Sequence, residues 1–330
     1  MTQISELIQR ARENVFSGQI LDRDSIIALL GIDPESSAAE KLGQAAREAA
    51  SAVTRDAGRV WSSIGVDFAP CPVNCSFCSF GEEWGVIRER CEWEAEEIIQ
   101  MAGRFLHGGA KWLTLRTTEY YSRDRLAGLA KKLRTAVPGN YGIVANTGEL
   151  TEETAKLLLD SGIQLIYHSL RLREGMDTGI PVKDRLETLA AVQASPLDLA
   201  FLVEPVGSEH RSDELADVLL TAMKYGARLT GAMARVPVPG TPLGNIPAVS
   251  ERRLAQIAAV TRLAAGFNAP DICIHPASQL ALEWGANVVV VETGAIPRDT
   301  SNLQQEWNQF KLATAADWFK QAGYQLDRGI

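Results

Sequence analysis

The sequence predicts an α/β protein, a (βα)8 barrel carrying a helical extension at its N-terminus. Eight short apolar runs recur between residues 62 and 291, amphipathic helical stretches separate them, and no repeat or low-complexity segment breaks the alternation. Strands alternating with helices at this spacing form parallel βαβ units, and eight units close most simply into a barrel. A doubly wound open sheet is the rival arrangement for the same pattern.

Residues 1–60 read as helical throughout. ISELIQRARENVFSG is amphipathic and ends at a glycine, DRDSIIALLG has an acidic start and a glycine stop, and SSAAEKLGQAAREAASAVTRDAG is alanine-rich. This stretch is expected to pack on the barrel as an extension, with residues 61–330 forming the barrel and a last helix. Strands are expected at 62–68, 112–116, 142–146, 163–168, 199–204, 229–235, 271–275 and 287–291. Between them lie helical segments such as EWEAEEIIQMAGRFL, SRDRLAGLAKKLR, VKDRLETLAAVQ and SERRLAQIAAVTRLAAG; NLQQEWNQFKLATAADWFKQAG follows the final strand.

The chain has 330 residues, 46% hydrophobic and 22% charged, enough to bury a large core. A net charge of −8 argues against nucleic acid as a partner. No apolar run approaches the roughly 20 residues that cross a bilayer, and the N-terminus lacks an apolar signal core. A cytoplasmic protein without a membrane partner is expected. In that compartment five cysteines, three of them clustered, point to metal or redox chemistry rather than disulfides.

The cluster is CPVNCSFCSF, residues 71–80, where Cys71, Cys75 and Cys78 have the spacing C-x3-C-x2-C. A structural zinc site closes with four protein ligands, and an ordinary iron–sulfur cubane also takes four cysteines. Three thiolates leave a position open for something that is not protein. The alternative is a zinc knuckle completed by Cys91 or His107. In a barrel, reactive groups sit at the C-terminal ends of strands, and this loop follows the first strand directly.

The cysteine spacing, with aromatic Phe77 before the third cysteine, resembles the radical SAM superfamily. Roughly residues 5–325 resemble the clade containing biotin synthase, the hydrogenase maturase HydE and methylornithine synthase (PylB). The likeness is carried by the helical leader and by YHSLRL, VKDRLETL, VEPVGSEH and RVPVPGTPLGN. It implies a [4Fe–4S] cluster on Cys71, Cys75 and Cys78, with S-adenosylmethionine (SAM) chelating the fourth iron. One-electron reduction, from a donor such as flavodoxin or ferredoxin, would then yield a 5′-deoxyadenosyl radical that abstracts hydrogen.

The same resemblance implies the cofactor contacts. Glu119 in LRTTEYY stands where the family's acidic residue holds the SAM ammonium, although Thr117 and Thr118 replace the two glycines of that motif. Ser169 and Arg171 belong to the segment after the fourth strand that meets SAM. Arg185 matches an arginine that pairs with the SAM carboxylate, and Val206 falls where backbone meets adenine. The plainer readings are a surface helix arginine for Arg185 and a helix-start acid for Glu119.

Biotin synthases hold a second, sulfur-donating cluster inside the barrel on three further cysteines and an arginine. Those cysteine positions fall near Arg116, Val144 and Ala200, and the arginine position near Cys273. One thiol cannot hold a cluster, which argues against sulfur insertion by that route. Cys273 is then a small buried hydrophobe or a thiol near the substrate, and Cys91 has no assigned role. Arg116, Arg171 and Arg235 fall at strand ends, with Arg173, Asn146, Tyr120 and His275 nearby. They suggest a site for an anionic small molecule, with Arg116, Arg235, Cys273 and His275 as candidate catalytic groups. The alternatives are rim salt bridges to Glu149, Glu174, Glu204 or Glu292, and a satisfied core histidine. The expected function is a radical SAM enzyme. The competing classes are a cluster-bearing partner subunit and a sulfur-inserting enzyme working with a second protein.

Overall fold

A computed structural model describes residues 3–294 and 307–328. Three helices lead, α1 (Gln3–Ser17), α2 (Arg23–Leu30) and α3 (Ser37–Thr54). Then come β1 (Ala57–Gly65), β2 (Asp67–Phe68), β3 (Cys91–Glu92), α4 (Ala95–His107), β4 (Trp112–Arg116), α5 (Arg123–Ala136) and β5 (Gly142–Asn146). They are followed by α6 (Glu152–Asp160), β6 (Leu165–Tyr167), α7 (Val182–Gln193), β7 (Asp198–Ala200), β8 (Val203–Val206) and α8 (Ser212–Lys224). The chain continues through β9 (Leu229–Ala234), α9 (Glu251–Ala265), β10 (Asp271–His275), α10 (Gln279–Glu283), β11 (Val288–Gly294), α11 (Leu312–Gln321) and β12 (Gln325–Leu326).

The strands close in the order β11–β1–β4–β5–β6–β7–β9–β10 and back to β11, every pairing parallel. This is a (βα)8 barrel, and the open sheet is excluded. Helices between strands face outward, because each crossover must bury its apolar stripe against the sheet. Asp22 and Ser36 cap α2 and α3, accepting from the N–H groups of Ser25 and Ala39. Such caps contribute about 1 kcal/mol each. Helix α3 carries buried alanines at 45, 46, 49 and 50, so its backbone lies close to α9 on the barrel's flank.

The leader is not helical to residue 60. Arg55 and Asp56 both take left-handed φ, 54° and 55°, which stops α3 at Thr54. The first strand therefore starts at Ala57 rather than 62, where it pairs with β12 and then β11. The strand expected over 199–204 is two pieces, β7 and β8. The Leu202 N–H between them donates to Ser169 Oγ at 3.1 Å and leaves the ladder. The pairing of β2 with β3 and the five-residue α10 have too few residues to give a periodic signal. Of the last expected helix, α11 and a single 3-10 turn at Trp307–Gln309 are present, and its first residues lie outside the described ones.

Inside the barrel Trp61, Val144, Leu165, Ala200, Leu202, Leu229, Cys273 and Val288 form an apolar floor. Each fully buried side chain of this kind stabilises by about 1.5–3 kcal/mol. Charged groups lie above it, toward the C-terminal ends of the strands. No helix of the described residues is long and apolar enough to cross a membrane.

Candidate active site

The loop bearing Cys71, Cys75 and Cys78 runs between β2 and β3 over the C-terminal mouth of the barrel. Its own backbone ties it: Cys71 N–H donates to the Phe80 carbonyl at 2.6 Å, and Cys78 N–H to that of Cys75 at 2.9 Å. Asn74, in a left-handed conformation at φ 51°, accepts from Glu83 N–H at 3.0 Å. Neighbouring loops fix its position, since Ser76 N–H donates to Asp177 and Leu243 N–H donates to Ser76, at 2.8 and 2.9 Å. Gly179 is required at the contact beneath, because a Cβ there would lie 2.3 Å from the Val73 carbonyl oxygen.

The donor set suits an iron–sulfur cubane. Burial pushes all three thiols up, Cys78 to about 12, so thiolates here need compensating positive charge, which bound iron supplies. Among the described residues no three Cys, His, Asp or Glu side chains converge as ligands of a single metal ion. Of the remote zinc ligands considered, His107 is exposed at the end of α4, its ring nitrogen 2.6 Å from the Gly103 carbonyl oxygen. Cys91 pairs across to Phe68 and packs beside Phe80, Cys71 and Cys78 as part of a small apolar cluster.

A cavity of about 1440 Å3, its open mouth included, runs from the three cysteines and Phe77 down to Trp61 and Val290. A single small-molecule site occupies roughly 300–1,000 Å3, so cosubstrate and substrate can share this one. Glu119, Arg116, Arg171, Arg235 and His275 line it as well. Among the described residues no hydrogen bond or ion pair reaches the Glu119 carboxylate, which leaves it free to accept an ammonium.

Ser169, Arg185, Val206 and Cys273 do not line this cavity. Ser169 Oγ is held by Leu202, Val206 sits under the neighbouring hollow lined by His210 and Ser250, and Cys273 is wholly buried in the floor. Burial raises its thiol well above the ordinary range, with Glu204 adding to the effect. Val144 and Ala200 share that floor, so no second thiol meets Cys273 there. Arg185 is 2% exposed in α7. It lies 2.7 Å from Glu149 and 3.4 Å from Glu174, and its Nη2 has no hydrogen-bond partner. It is not a surface arginine.

The three arginines do not wait for an anion. Arg116 Nη1 lies 3.2 Å from Glu292 Oε2, whose other oxygen is 3.1 Å from His275 Nε2. Arg171 Nε lies 3.7 Å from Glu204, which also accepts from the Tyr167 hydroxyl. Burial opposes the Arg171 charge, yet Glu174 and Glu204 hold its pKa above the ordinary value. Arg235, 3% exposed, is gripped by both oxygens of Glu209. Of the two readings for these arginines, the salt bridges are present: Glu292 and Glu204 pair with Arg116 and Arg171, and Glu209, which the sequence reading did not name, pairs with Arg235. Arg173 stands outside the cavity and pairs with Glu214 at 3.0 Å.

Sequence reasoning missed Asp67, Tyr167 and Glu209. Asp67 and Tyr167 line the cavity, and Glu209 meets Arg235 at its edge. Tyr167 was legible as a residue near the end of an expected strand, the region from which barrels present side chains to the mouth. Asp67 and Glu209 carried no pattern, because their partners Thr118 and Arg235 are distant in sequence.

No family model matches the chain. Among curated proteins, biotin synthase from Renibacterium salmoninarum is 27% identical over 263 residues, covering 76% of this chain and 75% of that one. Biotin synthase from Persephonella marina is 23% identical over 275 residues, covering 79% of each. Among solved structures, methylornithine synthase (PylB) matches with a TM-score of 0.79 at 17% identity, over 96% of this chain and 97% of that one. The [FeFe]-hydrogenase maturase HydG matches with a TM-score of 0.75 at 15% identity, over 97% of this chain and 75% of that one. The likeness to biotin synthases, the PylB-like fold and the three-cysteine loop over the barrel mouth support a radical SAM enzyme of the biotin synthase- and PylB-like clade, which would use a [4Fe–4S] cluster and SAM.

Proposed function

We propose that this enzyme cleaves SAM reductively and uses the 5′-deoxyadenosyl group to take a hydrogen atom from a small substrate held in the barrel. The observation that carries the reading is the juxtaposition in one cavity of three half-buried cysteines and the unpartnered Glu119 carboxylate. A cluster held there would supply one electron to the SAM sulfonium, drawn from a reductant such as flavodoxin or ferredoxin. The chain's own residues do the rest. Cys71, Cys75 and Cys78 would hold the cluster, and Glu119 would accept the SAM ammonium. Arg185 lies behind the cavity wall with Glu149 and Glu174 fixing its orientation, and its unpartnered Nη2 is the candidate partner for the SAM carboxylate. Phe77 and the apolar floor keep water from the reacting centre.

The substrate reading changes with the charges. Glu292, Glu204 and Glu209 already balance Arg116, Arg171 and Arg235, so the cavity does not demand an anion. Its wall of Asn146, Thr114, Ser63, Tyr167 and Trp61 suits a small polar metabolite, with Arg116 and His275 orienting it. Rearrangement or fragmentation fits better than sulfur insertion, because among the described residues Cys273 is the only barrel-floor thiol. The test is a panel of deuterated small metabolites, neutral, zwitterionic and anionic, incubated anaerobically with reconstituted enzyme, SAM and dithionite. Deuterium appearing in 5′-deoxyadenosine identifies the substrate. A panel member converted without deuterium transfer overturns the hydrogen-abstraction reading.

A further inference from the structure

The loop that carries Glu119 is built by side chains. Thr117 Oγ1 lies 2.8 Å from Thr147 Oγ1, and Thr117 N–H donates to the Asn146 carbonyl at 2.9 Å. One carboxylate holds Thr118 at two atoms: its N–H donates to Asp67 Oδ1 at 2.8 Å, and its hydroxyl donates to Asp67 Oδ2. Asp67 is 8% exposed on the two-residue strand β2, four positions before Cys71. Burial raises its pKa and the two Thr118 donors counter that rise. No lysine or arginine of the described residues forms an ion pair with it. A buried carboxylate without a cation is costly, and the strand pairing itself makes no use of its side chain.

What those two bonds determine is the direction of the next residue. Gly148 and Arg123 close the other side of the loop. A Cβ on Gly148 would lie 2.0 Å from the Glu119 carbonyl oxygen, and Arg123 Nη2 donates to that oxygen at 3.2 Å. The Glu119 backbone is thus enclosed, and its side chain, with Oε1 beside Gly148, lines the cavity.

We propose that Asp67 is a positioning residue for the cosubstrate. By clamping Thr118 it aims the Glu119 carboxylate, and because it roots the cysteine loop it keeps the ammonium acceptor in register with the cluster. Pre-setting an acceptor in this way raises affinity by removing the cost of ordering it on binding. The inference rests on the proposed role of Glu119.

The test uses full-length, anaerobically reconstituted Thr118→Val, Thr118→Ser, Asp67→Asn and Glu119→Gln proteins, with iron content and SAM affinity by equilibrium binding as readouts. Thr118→Val loses the hydroxyl bond, while Thr118→Ser keeps it. Asp67→Asn keeps an acceptor for the Thr118 N–H but loses the charge that strengthens both bonds and reverses the hydroxyl bond. Thr118→Val and Asp67→Asn should keep wild-type iron but bind SAM about tenfold more weakly, the scale of one hydrogen bond to a charged group. The loss should fall on the KM for SAM more than on kcat, and Thr118→Ser should restore it. Wild-type SAM affinity in Thr118→Val, with Glu119→Gln weakened, overturns the clamp alone. Unchanged affinity in Glu119→Gln overturns the clamp and the role of Glu119 together. A loss of iron in Thr118→Val also overturns it, because the clamp would then hold the cysteine loop rather than aim the acceptor.

Discussion

Arg235 and Glu209 form a two-point ion pair at the barrel mouth, with Arg235 Nη2 donating to Glu209 Oε2 at 2.9 Å. Gly207 makes room for it, since a Cβ there would lie 2.2 Å from Glu209 and 2.5 Å from the guanidinium nitrogens. The pair bridges the segment after β8 to the end of β9, both of which border the cavity.

This pair gives a pH signature. Against the upward push of its own burial, the Arg235 guanidinium holds the Glu209 carboxyl at about 2, below the ordinary 4.5. A depressed acid contributes stability that is present above its unfolded value and is lost as pH falls through its folded value. The melting-temperature gap between wild type and Glu209→Gln should therefore be full at neutral pH and shrink between about pH 4.5 and 2. A gap that stays constant through that window would contradict the pair's role. Gly207→Ala should lower the melting temperature at every pH.

Arg185 sits between Glu149 and Glu174, so Arg185→Ala should act twice. It should weaken SAM binding without loss of iron. It should also destabilise the fold by about 3–5 kcal/mol, the scale of leaving a buried carboxylate unpaired. Arg185→Lys should keep much of the stability and little of the SAM affinity, because an ammonium cannot reproduce the planar fork. Chemical denaturation and SAM titration of the two variants read the effects separately.

At the mouth, Arg116→Ala removes a group that flanks Glu292, beside which His275 also lies. The account expects a lower melting temperature together with weaker substrate-dependent turnover. Glu292→Gln, which keeps the shape and loses the charge, should lower stability less than Arg116→Ala. Equal melting temperatures for wild type and Arg116→Ala would show that Arg116 does not depend on the protein carboxylate.

Much of this was written locally. The barrel strands announce themselves by short apolar runs, and the cysteine loop by three thiols within eight residues, because strand burial and cluster ligation both act over a few neighbouring positions. The charge balance was not legible. Arg116 and Glu292 are 176 positions apart, and Arg235 and Glu209 are 26 apart, so only the pairing of strands brings each pair together. The break between β7 and β8 was hidden for the same reason: its cause, Ser169, lies 33 residues from Leu202. Thr118 was readable as a departure from the glycine pair, while the buried Asp67 that answers it was not.

The ligand set makes a stoichiometric claim. Anaerobically reconstituted protein should carry about four irons and four sulfides per chain, the inventory of one cubane. Alanine at Cys71, Cys75 or Cys78 should abolish this, and alanine at Cys91 or Cys273 should not. Iron and acid-labile sulfide analysis decides it. A second stoichiometric cluster would revive the sulfur-insertion reading and would need ligands beyond Cys273.

The most direct measurement is 5′-deoxyadenosine formed from SAM after anaerobic reduction with dithionite, quantified by mass spectrometry for wild type and for Cys75→Ala. The account predicts 5′-deoxyadenosine and methionine in equal amounts from wild type, and neither from Cys75→Ala. Wild-type protein that holds its cluster and binds SAM, yet yields no 5′-deoxyadenosine with dithionite and the substrate panel, would contradict it and identify a cluster-bearing subunit without turnover of its own.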